Sequence, residues 1–78
     1  ELYPVPFTND LKVKMEQDLE GTTEVKILDM NGKIILKKSF EGVKGTNIFS
    51  LNTTHLAPGV YFIEMANGAN VYSEKIVK

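Results

Sequence analysis

The 78-residue chain has no cysteine, no tryptophan and no arginine. Without cysteine there is no disulfide framework, no thiolate metal site and no cysteine nucleophile. Without arginine every basic side chain is a lysine, and the planar fork that grips a phosphate or a guanine edge is missing. No basic block interleaves with aromatics, and a formal net charge of -1 draws no partner by charge, so nucleic acid is not an expected ligand. Long apolar runs are absent, and the opening residues show neither the charged nor the apolar region of a signal peptide. With 42% hydrophobic and 24% charged residues, the composition is that of a globular domain rather than a disordered or membrane-spanning chain. A chain this short buries only about 60% of the surface its unfolded form exposes. Its core is thin, which favours a binding or structural module over a buried active site.

What is present reads as β structure. Leu11-Lys12-Val13-Lys14-Met15-Glu16 alternates apolar and charged residues, the pattern of a half-exposed antiparallel strand. Gly21-Thr22-Thr23 reads as a break, and Glu24-Val25-Lys26-Ile27-Leu28 resumes the extended run. Asn31-Gly32 then signals a hairpin into Lys33-Ile34-Ile35-Leu36 and on to Phe40. A two-residue loop would set Lys26 opposite Lys37, an unfavourable like-charge pair. A three-residue loop with a glycine bulge sets Asp29 opposite Lys33, Glu24 opposite Lys38 and Lys26 opposite Leu36, and is the expected version.

Gly42 and Gly45 bracket the next turn, and Asn47 to Leu51 gives a short strand. Leu56 is the expected plug into the core from the polar stretch Asn52 to Ala57. Val60-Tyr61-Phe62-Ile63 is apolar on both parities, which predicts a central strand covered on both sides. After Asn67-Gly68 the chain returns through Val71 to Val77. With Tyr3 to Phe7 as an edge segment, confined there by Pro4 and Pro6, about seven short strands with turn signals every 8 to 12 residues predict an all-β sandwich.

Candidate chemistry is sparse. His55, the one histidine, lies in a polar turn with no ligand or nucleophile partners at suitable spacing. Most carboxylates fall on outward parities or in turns, and Asp29 reads as a cap on the Asn31-Gly32 hairpin; Glu64 is the exception, interrupting the apolar run Val60 to Met65 where its strand is expected to emerge into solvent. No glycine-rich phosphate loop opens a helix. Asn52-Thr53-Thr54 fits a glycosylation acceptor and equally a turn. Tyr3, Tyr61, Tyr72 and Phe62 suit either an aromatic platform or core packing with hydroxyls at the rim. No catalytic residue, metal site, cofactor or small-molecule substrate is expected.

Four pieces in order carry a resemblance: Tyr3-Pro4-Val5-Pro6-Phe7, Ile27-Leu28-Asp29-Met30-Asn31-Gly32-Lys33, Leu56-Ala57-Pro58-Gly59-Val60-Tyr61 and Lys75-Ile76-Val77-Lys78. Over its full length the chain resembles a type A C-terminal sorting domain of the type IX secretion system, found at the C-termini of exported Bacteroidetes proteins. It departs from that pattern at Val5, where the family usually has Asn, and in the longer Asn52 to His55 turn.

The resemblance implies an immunoglobulin-like β-sandwich, residues 1–78 forming one domain excised from a larger exported protein. It implies a non-catalytic signal that follows its cargo through the periplasm and docks to shuttle proteins and the outer-membrane translocon. It further implies removal by a sortase-like cysteine peptidase and anchoring of the cargo at the cell surface. Gly59, Tyr61, Gly68, Tyr72, Lys75, Ile76, Val77 and Lys78 are the candidate recognition residues. A last strand at a sheet edge offers unpaired backbone groups to a receptor, or to a second copy exchanging an edge strand to form a homodimer. A structural role competes for each: Gly59 for its turn, Tyr61 for the core, the lysines as guards of the edge. The alternative function is a generic immunoglobulin-like adhesion or carbohydrate-binding module.

Overall fold

A computed structural model of the chain describes residues 2–3, 7–17, 20–68 and 70–78. The described residues form seven strands: β1 (Leu2–Tyr3), β2 (Asp10–Gln17), β3 (Gly21–Leu28), β4 (Ile34–Gly42), β5 (Gly45–Asn52), β6 (Val60–Asn67) and β7 (Asn70–Val77). They form two antiparallel sheets, ordered β1-β2-β5 and β4-β3-β6-β7. The expected all-β sandwich is the fold, and its arrangement is immunoglobulin-like. Pro4, Val5 and Pro6 of the expected edge segment lie outside the described residues, as does the side chain of Tyr3, while Leu2 and Tyr3 do pair as an edge on β2.

Alternation decides which face each strand buries. Leu11 and Val13 of β2, Phe49 and Leu51 of β5, Val25 and Ile27 of β3, and Tyr61, Ile63 and Met65 of β6 point between the sheets and are buried. Each such aliphatic side chain contributes on the order of 1.5–3 kcal/mol by leaving water. Aromatic contacts join the layers, with Phe40 of β4 stacked on Phe49 of β5 at 4.6 Å between centroids and Phe7 tilted against Tyr61 at 6.3 Å. Leu56 packs partly buried against this core, as its position predicts.

The β3–β4 hairpin corrects the expected register. Near the turn the three-residue loop is present: Asp29 N–H donates to the Lys33 carbonyl at 2.9 Å, and Asp29 Oδ1 accepts from the amides of Asn31 and Lys33. Beyond it a bulge absorbs one residue between Leu28↔Ile34 and Ile27↔Leu36, so Lys26 faces Lys37 and Glu24 faces Ser39. The physical reason is parity, because the bulge places Leu36 opposite the buried Ile27 instead of opposite Lys26. Glu24 relieves the lysine pair, with Oε1 at 3.4 Å from Lys26 Nζ and 3.8 Å from Lys37 Nζ.

Two other expectations are corrected. Gly21 to Thr23 is no break but the start of β3: Thr23 is buried, its Oγ1 donating to Gln17 Oε1 at 3.2 Å and accepting from Asn67 Nδ2 at 3.0 Å. β6 is internal to its sheet, but only one of its faces is covered, and Phe62 remains 40% exposed on the other.

Candidate functional site

The last strand divides into two unlike parts. At its far end the chain is tied down. Gly59 and Lys78 exchange backbone hydrogen bonds, Gly59 N–H to Lys78 O at 3.1 Å and Lys78 N–H to Gly59 O at 2.8 Å, extending the β6–β7 ladder past Val60↔Val77. Lys78 Nζ donates to the carbonyls of Thr53 and Leu56, each at 2.6 Å. Thr53 is itself buried, its N–H bonded to Asn9 O and its Oγ1 to Thr8 O. Ile76 is buried opposite Tyr61, whose hydroxyl donates back to the Ala57 carbonyl four residues upstream, in the manner of the tyrosine corner of immunoglobulin-like domains.

Earlier in β7, among the described residues, nothing comparable holds. From Asn70 to Lys75 every residue is exposed. Among the described strands β7 pairs with β6 and stands at the edge of its sheet. Reciprocal bonding at Gly59 and Lys78 fixes the alternation of the ladder, so the backbone groups of Asn70, Tyr72, Glu74 and Ile76 point to β6 while those of Val71, Ser73, Lys75 and Val77 point away. The Val77 carbonyl accepts from Phe7 N–H at 3.0 Å, which confirms that direction and closes the edge there. Among the described residues no backbone partner meets the outward N–H and C=O groups of Val71, Ser73 and Lys75. Their side chains share the outer face with Phe62, which lies opposite Lys75.

The predicted recognition residues are therefore not one cluster. Lys75 and Val77 lie on the outer face, Ile76 and Tyr61 are core, and Tyr72 points to the inner side opposite Met65. Gly59 and Lys78 form the clip, with Gly59 at a positive φ of 157° that residues with a side chain rarely adopt. Gly68 follows the last strand pair of β6 and takes the left-handed φ of 60° that a reversal needs. Tyr72 Oη donates to Glu74 Oε1 at 2.7 Å, and this bond to a carboxylate holds the phenol above its ordinary pKa.

Val71 and Ser73 complete the edge and are not among the expected candidates, although the period of two starting from Lys75 finds them; Phe62, weighed above for an aromatic platform or the core, lies beside them on the outer face. Asn47 was also missed. It is a buried residue of β5 whose Oδ1 accepts from Val43 N–H at 2.9 Å and whose Nδ2 donates to Val43 O at 2.7 Å, holding the β4–β5 turn. Of the weaker candidates, His55 is exposed, Asn52 Oδ1 accepts from Thr54 N–H in a turn, and Glu64 is half-buried opposite Lys26 and Ser73.

The family model of the secretion system C-terminal sorting domain matches residues 1–78, the whole chain. No curated protein matches it.

Proposed function

Since the chain belongs to the family of type IX secretion C-terminal sorting domains, whose members act as signals for export to the cell surface or beyond, we propose that it is read through the free edge of β7. The observation that carries this reading is the run of outward backbone groups at Val71, Ser73 and Lys75, closed at one end by Phe7 and flanked by Phe62. A receptor strand laid along it gains main-chain hydrogen bonds, while Lys75, Val77 and Phe62 give the pairing its selectivity. Lys78 acts differently, holding the strand in place for the reader.

In this reading the reader is a shuttle protein or the outer-membrane translocon, met after periplasmic transit. The domain itself does no chemistry. A sortase-like cysteine peptidase then removes it and leaves the cargo anchored at the surface. The same edge accepts a second copy, so a homodimer formed through it competes with the receptor.

The adhesion or carbohydrate-binding reading has less support. A sugar platform needs several aromatic faces on one surface, yet Phe62 points outward while Tyr61 and Tyr72 point inward.

The test is a fusion of residues 1–78 to a periplasmic reporter in a type IX host. Removing Lys75 to Lys78 is a poor variant, since it takes Ile76 from the core and tests folding. Ser73→Pro removes one outward N–H and spares the ladder to β6. We expect the parent fusion to reach the surface and a folded Ser73→Pro fusion to stay in the periplasm. Equal delivery of both would overturn the edge reading, and no delivery by the parent would favour adhesion.

A further inference from the structure

The sandwich has a gap between β2 and the start of β7. β2 pairs with β5 from Asp10 to Gln17; on its other side, among the described residues, β1 pairs at Val13 and Lys12, through Leu2 and Tyr3. Beyond Leu2 in the direction of Met15 a groove of about 550 Å³ lies between the sheets. Met15 of β2, Met65 of β6 and Tyr72 of β7 line it. This gap is why Tyr72, on the inner side of its sheet, is 47% exposed although Met65 beside it is buried.

The register says what fits there. Leu2 points inward opposite Val13, so in the same antiparallel register the residue immediately ahead of Glu1 faces Met15, and the one before it faces Glu16. Parity places the first of these over Met65 and Tyr72 and turns the second to solvent. Backbone direction agrees. Thr53 N–H donates to Asn9 O, which aims the odd-numbered residues of β2 at β5 and sends the N–H and C=O of Glu16 into the gap.

We propose that the polypeptide entering the domain ahead of Glu1 continues β1 along β2, placing an apolar side chain into the groove over Met15, Met65 and Tyr72. A sorting domain named for the C-terminal position carries its cargo on this side, and a segment already aligned by Leu2 and Tyr3 reaches the slot at high effective concentration, without the orientational cost that a separate partner meets. The cargo then leaves at the Gln17 end of β2, the pole opposite the Lys78 clip, and Tyr72 is covered by the signal's own polypeptide. The proposal rests on family membership and not on β7 being the surface that is read.

The test uses the 78-residue chain carrying a four-residue extension ahead of Glu1. One version is Thr-Ile-Thr-Ile, which puts isoleucine immediately before Glu1 and so inward. The other is Ile-Thr-Ile-Thr, of equal composition and opposite parity. Amide exchange by NMR is expected to slow at Glu16 by about tenfold or more with the first, as one new backbone hydrogen bond requires, with a shift of the Tyr72 ring resonances. The second is expected to leave both as in the unextended chain. Equal protection by the two versions, or protection by neither, would overturn the proposal.

Discussion

Ile76, Val77 and Lys78 are bound into the molecule by the core, by Phe7 and by the carbonyls of Thr53 and Leu56, whereas Val71, Ser73 and Lys75, on the same strand, offer an edge. In the proposed function a strand that is read by pairing has two opposed needs, an edge displayed to the partner and an anchorage that keeps the strand from fraying. The two parts of β7 meet one need each. The tyrosine corner and the lysine clip fix the strand at one end, and the exposed run continues the same ladder. Lysines three residues apart in sequence thus serve unlike ends, Lys75 on the outer face and Lys78 inside a cage of carbonyls.

The sharpest way to break this comparison is to attack the tethered end. Ile76→Ala is expected to cost about 2–5 kcal/mol, the range for deleting a fully buried aliphatic side chain, read from the midpoint of urea denaturation. Lys78→Met keeps the length and removes the donors to two carbonyls. Its expected cost is about 1.5–3 kcal/mol, the worth of hydrogen bonds to a charged group, with faster amide exchange at Gly59. At the exposed end Val71→Ala is expected to stay within about 0.5 kcal/mol, as for a surface position without special contacts. A Val71→Ala cost matching that of Ile76→Ala would show that the two ends are not different.

The smallest effect is a titration. The bond to Glu74 holds the Tyr72 phenol above its ordinary value, so the folded state binds this proton more tightly than the unfolded one. Its contribution to stability is present below about pH 10, the unperturbed tyrosine value, and is lost as pH rises through the raised one. Spectrophotometric titration of Glu74→Gln should bring Tyr72 back towards the ordinary value. No change on that substitution would mean that the hydroxyl is free in solution.

Much of this was legible because it depends on short-range pattern. Leu11 and Val13 announce their buried face by alternation, Asp29 its turn by the Asn31-Gly32 pair, and Gly42 and Gly45 the next reversal. The misreadings share a cause in longer-range geometry. The β3–β4 bulge is set by the need to face Ile27 with Leu36, which a turn signal does not carry. Val60 to Ile63 is apolar on both parities whether or not a second layer covers Phe62. For the candidate site, the edge position of β7 follows from its place in the chain, but the role of Lys78 does not. That role requires Thr53 and Leu56, more than twenty residues earlier in the sequence, to present carbonyls at the point where the strand ends.

The account stands on the edge of β7 being what a reader pairs with. Amide exchange of the domain, free and bound to solubilised translocon from a type IX host, measures this residue by residue. Slowed exchange at Val71, Ser73 and Lys75 on binding, with Tyr72 and Glu74 already protected in both states, is the predicted result. Unchanged exchange at those three amides alongside new protection on β4 or β5 would contradict it.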